Sequence, residues 1–217
     1  NVGASQRGIF NNAKVVRVRG VSGEIALKVF LRPMDGDANG IRFRWSPRNL
    51  EGATSACLTY SVYLPKKFET GSGGFLPGIY TGTGPQRGEE SDVDGSMMQR
   101  VVWLKDRSGA LVLRSKQQGE IKGKYVGSER FELPRGRWVP IEQEVVLNKS
   151  GKKDGLARVF VDGEMVLENN RSTWRKSDRF VINGVQADIG YKHPQDAAKP
   201  PVKVNSIYVS QMKFRWQ

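Results

Sequence analysis

Arg100 and Arg114 each sit inside a largely apolar run of alternating character. A guanidinium so placed offers a rigid fork of N–H donors that matches a carboxylate through two parallel hydrogen bonds. Alternation puts Met98, Arg100 and Val102 on one side of their run, with Gln99, Val101 and Trp103 on the other. On the following run Val112, Arg114 and Lys116 share a side opposite Leu111 and Leu113. Arg42 and Arg44 alternate with Ile41, Phe43 and Trp45 in the same way, and Tyr63 points away from the apolar side of its run. Were these runs neighbours, with Lys122 and Tyr125 beside them, they would form a basic sheet surface dotted with aromatic rings. Tyr80 lies in a Gly-rich stretch, and Tyr191, Lys192 and His193 lie in another irregular one. A phenol beside two arginines can have its pKa lowered enough to act as a base. His193 is the one side chain whose ordinary pKa is near neutrality. The plain alternatives are surface cations that keep strands soluble, packed tyrosines and an ordinary loop histidine.

The 217 residues hold 35 Lys and Arg against 22 Asp and Glu, a formal charge of +13. Residues 97–137 alone carry ten cations and four acids. Such a surplus predicts a polyanionic partner: nucleic acid, an anionic membrane or an acidic polysaccharide. One cysteine, Cys57, and one histidine exclude an internal disulfide, a Cys-rich zinc site and a multi-His metal site within the chain. No metal and no cofactor is therefore expected. No run of about 18 apolar residues appears, so no membrane insertion is expected. Zinc-finger, helix-turn-helix and RRM signatures are lacking, which makes nucleic acid the weaker choice of partner. There is no nucleophile elbow and no phosphate-binding loop. The acidic patch Glu89, Glu90, Asp92 and Asp94 lacks EF-hand spacing. Glu142 and Glu144 alternate on one run and suit salt bridging better than paired-carboxylate hydrolysis. The chain starts Asn1-Val2, so either a signal peptide has been removed or this is a piece of a longer protein; a secreted or extracellular mature form is the expectation, as a monomer.

These groups need strands to hold them. Alternation predicts strands at 13–19, 24–31, 41–45, 56–64, 98–104, 110–116, 141–147, 157–161, 164–168 and 206–215. Asp162-Gly163 between two of them is a two-residue hairpin signal. No helical stripe, repeat or linker divides the chain. The expected fold is all-β: one antiparallel β-sandwich or jelly roll over residues 1–217, with ten or more strands and a concave basic sheet. Residues 69–97 and 183–205 read as long irregular stretches of functional kind.

Residues 73–82, GGFLPGIYTG, resemble the Gly-Gly-Lys-Leu-Pro-Gly-Leu segment of family 14 polysaccharide lyases. The likeness continues through DGSMMQRVVW (94–103) and SGALVLR (108–114), then returns over 136–166 and at ADIGY (187–191). It covers roughly residues 53–216. The resemblance implies a concanavalin-like jelly roll whose concave sheet forms the cleft, and activity on alginate or related polyuronates. In that family a Lys stands where this chain has Phe75, a Ser where it has Met98 and an Arg where it has Arg100. Two Tyr correspond to Val112 and Arg114, so of this set only the Arg is kept. In such lyases cations neutralise the uronate carboxylate and acidify the C5 proton. A Tyr then takes that proton and protonates the leaving oxygen.

The expected function is thus that of a polysaccharide lyase-like protein acting by β-elimination on an acidic polysaccharide. The alternative is a non-catalytic acidic-glycan-binding protein on the same scaffold. Arg100, Tyr80, Tyr191 and His193 are the catalytic candidates. Arg114, Lys116, Arg42, Arg44, Tyr63, Lys122, Tyr125 and Lys192 are the substrate-binding candidates. Arg100→Ala is expected to weaken binding or turnover without unfolding the protein.

Overall fold

The computed structural model describes residues 8–32, 39–82, 96–115, 120–125, 130–192 and 203–217; for residues 22, 114, 115 and 120–125 it describes the backbone alone. After a single helical turn (α1, Ile9–Asn12), the chain runs almost wholly as strands. They are β1 (Ala13–Arg17), β2 (Ile25–Leu31), β3 (Ile41–Trp45), β4 (Ser55–Tyr63), β5 (Gly74–Thr81), β6 (Met97–Trp103), β7 (Ser108–Ser115) and β8 (Glu120–Tyr125). There follow β9 (Phe131–Glu132), β10 (Trp138–Val146), β11 (Gly155–Val161), β12 (Glu164–Ser172), β13 (Ile182–Tyr191), β14 (Asn205–Ser210) and β15 (Lys213–Trp216).

Two antiparallel sheets make the sandwich. One has eight strands in the order β1-β2-β14-β4-β10-β11-β12, with β15 also on β4. The other has seven, in the order β3-β13-β5-β6-β7-β8, with β9 on β7. The run 206–215, expected as one strand, is two. β14 pairs with β4 at Tyr63 and Val62, and β15 pairs further along the same strand, from Thr59 to Ala56. The Asp162-Gly163 hairpin is as expected: φ is +55° and +84°, the two left-handed positions of a type I′ turn.

The interior lies between the sheets. β4, β10 and β11 alternate buried and half-buried residues nearly without exception, each giving one side to the core. Leu58, Tyr60 and Val62 of β4 meet Val101 and Trp103 of β6 and Val185 and Ile189 of β13 in one cluster. β6 and β13 show no such alternation, because both of their sides are covered. On the outer side of the seven-stranded sheet, Val102, Leu104, Ala110 and Val112 form a second small cluster against Phe75.

β5 and β13 fall in the two stretches expected to be irregular. Their glycines and Pro77 hide the strand pattern, yet each has a structural reason. Register slips between Phe75 and Gly78 on both sides of β5, so the strand bulges there. Pro77 sits at that bulge, a place where a central strand tolerates proline. Its carbonyl turns into the core, where Gln143 Nε2 donates to it at 2.8 Å and the Tyr60 hydroxyl at 3.3 Å. Gly78 follows at the tightest point: a Cβ there would lie 2.1 Å from the Gln99 carbonyl oxygen and 2.5 Å from Arg100 Cβ.

Candidate active site

The bulge sets up the outer side of the seven-stranded sheet. Arg100 of β6 stands opposite Gly78 of β5, and Gly78 stands opposite Gln186 of β13. With no side chain at Gly78, the Arg100 guanidinium reaches across β5 to β13. There its Nη1 donates to Asp188 Oδ2 at 2.9 Å. Both residues are 1% exposed. Phe75 covers the pair from β5, its ring centre 3.8 Å from the guanidinium carbon. From the other side, Arg42 of β3 brings Nε to 3.9 Å from the same Asp188 oxygen. Arg44 donates to Gln186 Oε1 at 3.1 Å and lies 5.4 Å over the Tyr80 ring. Three arginines from two strands thus gather around Asp188, Gln186 and Tyr80.

The arrangement changes several expectations. Arg100 does share this side with Arg42, Arg44 and Tyr80, but its charge faces an internal carboxylate. Burial pushes the Tyr80 phenol up, and the nearby Arg44 only partly opposes this. The shift is therefore opposite to the one expected for a phenol among arginines. Tyr191 is not on this side at all. It packs in the core, its ring 6.0 Å from that of Trp103 and 6.5 Å from that of Phe68. Its hydroxyl donates to the Glu69 carbonyl at 2.7 Å and accepts from Asn205 Nδ2. Burial is the main cause that lifts its pKa to about 12. Tyr191 is a fastening between segments, held there because a buried phenol needs partners. Tyr63 is a second correction: it lies on the outer side of the eight-stranded sheet, against Trp138 and Tyr208. The opposite layer takes it because its neighbours Val62 and Leu64 fill the core.

Lys192 follows β13, where its backbone N–H donates to the Gly73 carbonyl at 2.9 Å. Arg114 takes the register position opposite Met98, and Tyr125 the one opposite Val112; Lys122 lies on β8 with it. Lys116 and His193 lie outside the described residues, as does the acidic patch 89–94. Glu142 and Glu144 behave as expected. Thr59 donates to Glu142 at 3.2 Å, and Arg158 joins Glu144 at 3.3 Å to Glu168 at 2.6 Å. Asp188 and Gln186 were missed in the sequence. The available signal was an acid inside the mostly apolar run VQADIGY, since a carboxylate in a buried strand requires a cation.

The family model Polysaccharide lyase 14 matches residues 24–208. The chain belongs to polysaccharide lyase family 14. A search of curated proteins returns no match. Among solved structures, the PL-14 alginate lyase from Aplysia kurodai is similar at TM-score 0.77 and 22% identity, over 98% of this chain and 89% of that one. Alginate lyase vAL-1 from Chlorella virus is similar at TM-score 0.74 and 18% identity, over 98% and 92%. The endo-β-1,4-glucuronan lyase from the fungus Trichoderma reesei is similar at 0.65 and 12%, over 97% and 90%. At these identities the structures share the fold.

The family's positions can now be placed. Phe75, Met98, Arg100, Val112 and Arg114 fall on three adjacent strands, β5, β6 and β7. Register sets Arg100 beside Val112 and Met98 beside Arg114. Phe75, where the resemblance would put the family's Lys, is the ring that covers Arg100, and Arg100 lies in a buried ion pair.

Two outcomes follow. Arg100→Ala removes the guanidinium that donates to the buried Asp188 carboxylate, so it is expected to cost about 3–5 kcal/mol of stability. Chemical denaturation checks this, and it replaces the expectation of an unchanged fold. Tyr191 is neutral in the folded protein until pH nears 12, against an ordinary value of 10.0. Its contribution is complete below pH 10 and is lost as pH rises from there towards about 12. Alkaline denaturation of the wild type against Tyr191→Phe is expected to show that loss in the wild type alone.

Proposed function

We propose that this family member acts outside the cell on an acidic, uronate-containing polysaccharide, by β-elimination on the outer side of the seven-stranded sheet. The observation that carries the reading is the gathering of Arg42 and Arg44 of β3 with Arg100 of β6 on that side, β6 being one of the strands where the family resemblance puts its catalytic positions. Cations there would neutralise a uronate carboxylate and so acidify the C5 proton. In the reaction a base takes that proton. The freed electron pair forms the C4–C5 double bond, the C4–O bond breaks, and the leaving oxygen takes up a proton. Tyr80 is assigned to the last step, as a phenol beside Arg44 on that side that carries its proton at neutral pH. His193 is the candidate for the first step on its chemistry. Arg42 and Arg44 are assigned to the substrate carboxylates, on guanidinium geometry. Alginate and polyglucuronate are the polymers of choice, since the similar structures are lyases of alginate and glucuronan.

A second reading has an observation of its own. Asp188 meets the charge of Arg100 and Phe75 covers it, while the family's two Tyr positions hold Val112 and Arg114. That favours a protein which holds the polymer without cutting it. One experiment separates the two. The protein is incubated with alginate and with polyglucuronate, following the ultraviolet absorbance of the unsaturated product, and is passed over an immobilised acidic glycan. A rise in absorbance that Tyr80→Phe lowers by about tenfold or more is expected, in line with loss of general-acid assistance. Retention with no rise supports the binding reading. Neither rise nor retention contradicts both.

A further inference from the structure

The other face of the sandwich carries an ordered row that the proposed reaction does not use. Register places Lys14 opposite Lys28, Lys28 opposite Tyr208, Tyr208 opposite Tyr63 and Tyr63 opposite Trp138. These five residues come from five successive strands of the eight-stranded sheet: β1, β2, β14, β4 and β10. They lie on one line across the sheet, on its outer side, and all are half-buried or exposed. Four strand spacings give the row a length of roughly 19 Å.

The contacts along it are continuous. Lys14 Nζ lies 5.8 Å from the Phe30 ring centre, and Lys28 Nζ lies 5.0 Å from the same ring and 5.4 Å from that of Tyr208. Tyr208 meets Tyr63 edge to face at 5.7 Å, and Tyr63 meets Trp138 at 5.5 Å. The Trp138 indole N–H donates to the Arg19 carbonyl at 2.9 Å, which fixes its ring. Beside the row run short side chains: Ala26 opposite Ser210, and Ser61 opposite Pro140. The Ser61 N–H donates to Ser210 Oγ at 2.8 Å, which joins those two strands. Asp162, whose backbone N–H donates to the Pro140 carbonyl near the Trp138 end, is paired with Arg137.

We propose that this row is a second binding surface, for an extended acidic polysaccharide held without cleavage. Ring faces suit the apolar C–H faces of sugar units, and rings already packed on one another lose little freedom on binding. Lys14 and Lys28 sit where carboxylates of the same chain would pass, and the chain's net charge of +13 favours the encounter. The row also assigns Tyr63 a place in glycan binding, on the opposite face from the one expected. A basic aromatic row could equally stack the bases of single-stranded nucleic acid. Membership of a polysaccharide lyase family favours the glycan. The ligand class is shared with the proposed function, but the residues are separate, so either can fail alone.

The test uses the whole chain and two variants, Lys28→Glu and Tyr208→Ala, each checked for an unchanged thermal transition. Binding of alginate and polyglucuronate oligosaccharides is measured by calorimetry, with a neutral cello-oligosaccharide and a single-stranded oligonucleotide as comparisons. Release of unsaturated product is followed in parallel. Each variant is expected to weaken acidic-oligosaccharide binding by about tenfold while product release from short oligosaccharides, whatever its wild-type level, is unchanged. Should Tyr208→Ala lose stability, Lys28→Glu on the surface decides alone. Unchanged affinity in the variants overturns the proposal. So does oligonucleotide binding as tight as that of the acidic glycans, with the same salt dependence. Absence of product in every sample, with variant binding weakened, sinks the lyase reading and leaves this surface standing.

Discussion

The buried pair of Arg100 and Asp188 is the constraint around which the seven-stranded sheet is arranged. It joins β6 to β13 over the top of β5, and a side chain on β5 at that point would block it. Gly78 supplies the gap and the bulge from Phe75 to Gly78 supplies the register. The bulge in turn sends the Pro77 carbonyl into the core, where an unmet acceptor would be costly. Tyr60 and Gln143 meet it from the opposite sheet. One ion pair on the outer side is therefore tied to a polar contact in the middle of the sandwich. A desolvated pair of this sort gives little net stability, yet losing either partner is expensive. That asymmetry makes both Arg100 and Asp188 hard to replace singly.

The charge surplus resolves into different environments. On the seven-stranded sheet the arginines surround Asp188 and Gln186 beside Tyr80. On the eight-stranded sheet Arg158 is shared by Glu144 and Glu168, and Arg137 is engaged by Asp162. Lys14 and Lys28 instead rest against aromatic rings. Family membership and the similar structures set the scaffold on which these environments sit.

Much of the fold could be read from alternation wherever one side of a strand meets solvent. β4, β10 and β11 follow the pattern because their outer residues remain half-exposed. β5 and β13 escaped it because both of their sides are covered, which removes the period-two signal, and because glycine and proline mark bulges as well as loops. Arg100 stood out as a cation inside a largely apolar run, and the face it shares with Met98 and Val102 was legible. Its partner was not, since Asp188 lies 88 residues away on a strand that looked irregular. Tyr191 and Tyr63 were misplaced for related reasons. A tyrosine is equally at home in a core with hydrogen-bond partners or on a surface with aromatic neighbours, so its type alone does not choose the layer.

The coupling between Arg100 and Asp188 tests the account most directly. A double-mutant cycle with Arg100→Met and Asp188→Asn, read by chemical denaturation, isolates it. The two single costs are expected to exceed together the cost of the double by about 2 kcal/mol or more. Single effects that add to within about 0.5 kcal/mol would contradict it, because residues that hold one site together cannot be energetically independent.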